Sequence, residues 1–170
     1  MKRIKLVVSD MHLGNGRYLP DGTVNPLEDF VLDEKFVEFV EFYGNQDDEM
    51  DVELILNGDI LNMIQLLPEE QAAGILTEQA AVAKTEAIIR GHQRIFDALK
   101  TFNSRPHRRI VYLLGNHEPG LLWKGVQETL RSVIRASWCS WMSPIVSTGS
   151  TSSMDISWNP SSVSTRIATS

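Results

Sequence analysis

Three short aliphatic runs punctuate the chain: Ile4 to Val8, Val52 to Leu56 and Ile110 to Leu114. Each has the length and the β-branched or aliphatic content of a buried strand, and each stops at a polar cluster. Between them the period changes. Apolar residues at Phe30, Val31, Phe36, Val37, Val40 and Phe42 fall at helical spacing, which predicts a helix over 27–43. Glu28, Asp29, Asp33 and Glu34 lie toward its start, where the helix dipole favours acids. Pro68-Glu69-Glu70 is a start signal for a long helix reaching about Phe102, with Gly74 and Gly91 as points of bending. A last helix is predicted from about Leu121 to Ile134, and Gly14 to Pro26 reads as a surface loop. Strands separated by helices require crossovers, so the pattern predicts an α/β fold with a mostly parallel sheet. Such sheets gather their functional groups beyond the carboxyl ends of the strands.

Three polar clusters stand at those ends. Asp10 and His12 follow the first run, and if the chain stays extended, period two places both side chains on one side. A carboxylate and an imidazole there suit Mn, Fe or Zn, although an Asp-x-His pair alone is more often a turn and a surface histidine. Gly58 and Asp59 follow the second run. The glycine permits a sharp turn, the carboxylate is able to bridge two cations, and Asn62 is placed to orient a ligand; an ordinary Asn-Gly-Asp turn is the competing reading. Gly115-Asn116-His117-Glu118 follows the third run, offering a neutral amide ligand and an imidazole able to donate a proton. A plain helix cap is the competitor there, but three such turns directly after three strands are an improbable coincidence.

Composition narrows the setting. At 170 residues with 42% apolar and 22% charged positions, the chain suffices for one domain with a core. No apolar run approaches the roughly 20 residues of a spanning helix, and no signal-peptide pattern follows Met1, so the expectation is a cytoplasmic protein without membrane partners. The single Cys139 permits no internal disulfide. A formal charge of −6 argues against non-specific nucleic-acid binding, whereas a phosphate-bearing substrate is compatible with it if metals supply the positive charge.

Taken together, Asp10/His12, Gly58/Asp59/Asn62 and Gly115 to Glu118 resemble the motif set of the calcineurin-like metallophosphoesterases over about residues 4–134. The resemblance implies an αββα sandwich, of which this chain carries the N-terminal β-α-β-α-β portion, and a site with two divalent cations (Mn, Fe or Zn). By it, Asp10 and His12 bind the first metal, Asp59 bridges, and Asn116 binds the second. His117 is implied as proton donor or transition-state stabiliser, with Gly58, Asn62, Gly115 and Glu118 supporting the ligands. The implied reaction is in-line hydrolysis of a phosphate ester. One departure matters: the family supplies further histidine ligands downstream, and this chain has no histidine after His117. His92, on the long predicted helix, and His107, at the far end of a strand, are expected to be exposed. Impaired hydrolysis is therefore expected of this chain; the alternative is a catalytically inactive protein-binding module that keeps the fold.

After about Ala136 the composition breaks. Of the last 34 residues 16 are Ser or Thr, and Trp138, Trp141, Trp158 and Cys139 are concentrated there. Such a tail looks foreign to the preceding 1–136 domain, whether non-native or disordered. Regrouping the codons of Trp138 to Met142 by one base gives Val, then Phe or Leu, an apolar residue and Asp, a strand-like series. Across Ser153 to Ile156 the same regrouping permits His, forces Gly and gives His or Tyr. The expectation is that residues 137–170 are translated out of frame.

Overall fold

The computed structural model describes residues 2–47, 49–66 and 77–134. The three predicted strands form: β1 (Lys2–Val8), β2 (Met50–Asn57) and β3 (Arg108–Leu113). They make one parallel sheet in the order β1-β2-β3. The fold is mixed α/β. In register, Leu6, Leu54 and Ile110 lie side by side, with Leu56 beside Tyr112 one rung on, and all five are buried. On the opposite face Lys5, Glu53 and Arg109 share a rung, and Glu53 forms ion pairs with both cations.

The helices are α1 (Asp33–Gly44), α2 (Glu78–Gly91), α3 (Gln93–Asn103) and α4 (Lys124–Ile134), with a 3-10 turn at Pro119–Leu122. Their apolar faces join the buried sheet residues in one cluster: Phe36, Val37 and Val40 from α1, Ile88 from α2, Ile95, Phe96, Leu99 and Phe102 from α3, and Val126 and Leu130 from α4. α1 packs on α3, and α4 on α2 and α3. Arg108, nearly buried, donates to the carbonyls of Gly44 and Gln46 just past α1, tying that end to the first residue of β3.

Three boundaries differ from the sequence expectation. The first helix begins at Asp33 rather than near Leu27, because the backbone before it is engaged elsewhere: the Glu28 carboxylate accepts the amides of Gly14, Gly16 and Phe30, and Asn25 Oδ1 accepts that of Leu27. The expected single long helix is two helices, broken at His92, whose backbone leaves helical geometry at φ −122° and ψ 36°. That break turns His92 inward, and it is 2% exposed rather than at the surface. The expected start at Pro68 and the bend at Gly74 lie outside the described residues, as does the whole of 137–170. The last helix is split, a 3-10 turn preceding α4. His107 is exposed, as the sequence suggested.

Candidate metal centre

Beyond the ends of β1 and β2 the two chains continue side by side. His12 N–H donates to Asp59 O at 2.9 Å, Leu13 N–H to Ile60 O at 2.8 Å and Asn62 N–H to Leu13 O at 2.8 Å, with an isolated parallel bridge between Leu13 and Leu61. Within this paired segment Asp10, His12 and Asp59 all take left-handed backbone conformations, at φ 56°, 52° and 52°. The convergence of Asp10 and His12 therefore does not come from an extended strand of period two, as expected. It comes from two left-handed residues that fold the loop back. Such conformations cost on the order of 1–3 kcal/mol each and persist where the surroundings impose them, typically at functional sites. The outcome is a cluster in which one ligand atom from each of Asp10, His12 and Asp59 lies within 4.8 Å of the others.

The third loop closes on this pair. Gly115 packs so tightly that a Cβ on it would stand 2.0 Å from Asp59 Oδ1, and a Cβ on Gly58 (φ 76°) would stand 3.0 Å from Gly115 Cα. Asp59 Oδ1 accepts the His117 amide at 2.9 Å, and His117 O accepts the Met63 amide at 3.1 Å. The His117 ring meets the His12 ring edge to face with centroids 4.4 Å apart. His117 Nδ1 is buried and has no hydrogen-bond partner among the described residues. Asn116, between Gly115 and His117, is exposed.

Glu118 ties the second of these segments to the third. Fully buried, its Oε1 accepts the amides of Ile60 (2.9 Å) and Leu61 (2.8 Å) and the Tyr112 hydroxyl, while Oε2 accepts the Gly115 amide at 2.9 Å. Burial pushes the Glu118 carboxyl up, against the pull of these donors. Burial, with the Glu118 charge, also drives the Tyr112 phenol well above its ordinary value, so it stays a donor. The Asn62 amide donates to Gln65 Oε1 and its carbonyl accepts the Gln65 amide, which orders the turn after Leu61.

Thus Asp10, His12, Asp59 and His117 are brought together, Gly58 and Gly115 allow the approach, and Glu118 braces it. The donor set fits a divalent cation of the Mn, Fe or Zn kind: two carboxylates and an imidazole in one cluster, with a buried imidazole nitrogen alongside that has no partner among the described residues. Sequence reasoning missed Glu28 and His92, which meet across 64 positions and carry no local signal beyond the glycines at 14, 16 and 91. Among the described residues no helix is long and apolar enough to cross a membrane. Comparison of the chain with known protein families, with curated proteins and with solved structures finds no match.

Proposed function

We propose that this chain is a metallophosphoesterase of the calcineurin-like kind, built on part of an αββα sandwich, that hydrolyses a phosphate ester at a site for two divalent cations. The observation that carries the reading is the convergence of Asp10, His12 and Asp59 through three left-handed residues, with His117 against them. Asp10 and His12 would hold one cation, Asp59 would be shared, and Asn116 would serve the second. Bound there, divalent cations supply positive charge to the phosphoryl oxygens and make water a better nucleophile at neutral pH.

The chain's own groups do the rest. The carboxylates of Asp10 and Asp59 orient what binds between them and repel an anion that arrives without its cations. His117, anchored through its amide to Asp59, presents an imidazole beside His12 from which a proton can pass to the leaving oxygen. Glu118 and Gly115 keep that imidazole in register with Asp59. The substrate class is a phosphate ester.

One observation favours a second reading. The resemblance implies histidine ligands downstream of His117, and no histidine follows it in this sequence, which suits a weakly active chain or a module that binds a protein through the retained fold. Release of p-nitrophenol from p-nitrophenyl phosphate with Mn2+ present, together with bound Mn per chain, tests both. Hydrolysis by the parent, lowered about 100-fold or more in His117→Ala at unchanged Mn content, supports the esterase. Mn binding without hydrolysis supports the binding module, and a parent that binds no Mn overturns the metal reading.

A further inference from the structure

The segment that leaves the metal cluster is tied down by a buried charge network remote from it in sequence. Glu28, its side chain buried, accepts the Gly14 amide at 3.1 Å, the Gly16 amide at 2.6 Å and the Phe30 amide at 3.1 Å. Its Oε2 also lies 3.3 Å from His92 Nε2, while His92 Nδ1 meets Asp33 Oδ2 at 2.8 Å. The helix break at His92 makes this possible, since it drops the imidazole between the two carboxylates. Backbone contact completes the lock. A Cβ on Gly91 would stand 2.4 Å from Asn15 O, and one on Gly16 (φ 95°) would stand 2.6 Å from Gly91 Cα.

We infer that Glu28, held by His92, is a positioning residue for the metal centre, fixing the backbone that follows His12 so that the imidazole stays with Asp10 and Asp59. This rests on the metal reading above. The constraint comes from anchors on both sides. On its N-terminal side His12 is held through the Asp10 amide on Gly58 O and through its own amide on Asp59 O. On its C-terminal side the first anchors after the Leu13 pairing are Gly14 and Gly16, and one carboxylate takes both. A left-handed residue between two such anchors has no softer backbone torsion to relax into. Both oxygens of the Glu28 carboxylate are taken up by amides of the segment after His12, which is what places that loop. Supporting partners of this kind typically change metal affinity about 10–100-fold when removed.

The full chain, loaded with Co2+, tests this through its dissociation constant and its visible ligand-field bands, which report ligand number and geometry. Glu28→Gln keeps the shape but leaves one oxygen for amides that need two; the expected result is at least tenfold weaker Co2+ binding with shifted bands. Asp33→Asn, which loosens only the outer side of His92, is expected to lower Tm and leave both cobalt readouts unchanged. If Glu28→Gln does not fold, Gly14→Ala is read instead, because its Cβ would press on Glu28 Oε2 at 2.8 Å without deleting the carboxylate. A folded Glu28→Gln or Gly14→Ala with the parent's affinity and bands overturns the inference. So does an Asp33→Asn chain that loses Co2+ just as much, since the effect would then follow stability alone. A parent that binds no Co2+ overturns the metal reading beneath it.

Discussion

His92 should make the stability of the chain fall through mildly alkaline pH, in a window far from the titration of ordinary carboxylates. Burial by itself would depress the imidazole, but the hydrogen bond to Asp33 and the carboxylates of Asp33 and Glu28 on either side outweigh it and push it up to about 9 from 6.5. Below pH 6.5 folded and unfolded chains both carry the proton, and the stabilisation is fully present. Between 6.5 and about 9 the unfolded chain has released it while the folded chain keeps it, so each pH unit removes about 1.4 kcal/mol. Across that window the loss is on the order of 3 kcal/mol, a large fraction of the roughly 5–15 kcal/mol of a typical domain. Glu28 feels the same contact from the acid side. Burial raises its carboxyl, but His92 and the Gly14 and Gly16 amides outweigh that and hold it below the ordinary range, so its share is lost as pH falls; the two are one interaction and do not add. Urea unfolding followed by circular dichroism, at steps from about pH 6 to pH 10, would measure the slope in the parent and in His92→Gln. The parent should lose stability across the window while His92→Gln stays nearly level from a lower start. Parallel curves for the two chains would refute the linkage, since the slope would then belong to other groups.

Two further outcomes follow from the site. In Glu118→Gln, whichever way the amide turns, its NH2 faces at least one of the donors that Glu118 now accepts, so stability should drop by about 1–3 kcal/mol in the same urea assay; an unchanged midpoint would mean the bracing is slack. In Gly115→Ala the new methyl meets Asp59 Oδ1 and Asp59 N at 2.0 and 2.2 Å, so Mn2+ titration should give at least tenfold weaker binding, and parental affinity would show that the loops can part without disturbing Asp59.

How legible the fold was depended on the range of the interactions. Strands such as Val52 to Leu56 were readable because an aliphatic run bounded by polar residues is a local signal, and parallel order followed from the helices between. The break at His92 was not, since the apolar spacing of Ile88, Ile95 and Leu99 runs on either side without interruption, and the close packing of Gly91 on Asn15 and Gly16 beside it is a contact remote in sequence. The late start of α1 was hidden for a similar reason: Glu28 looks like a helix-starting acid, and only the fold reveals that its carboxylate serves a loop 12 to 14 residues earlier. At the site, residue types and order named Asp10, His12, Asp59 and His117, but the backbone that gathers them was invisible. A positive φ at Asp or His has no sequence mark comparable to glycine.

Those left-handed positions also govern how the site can change over generations. Asparagine tolerates that backbone as well as aspartate does, whereas valine, isoleucine and threonine do not. Single replacements of Asp10 or Asp59 by Asn would strip charge from the cluster while every loop keeps its path. On the proposed metal reading, a lineage could give up the cation in small steps that keep this backbone, and could return by the same route.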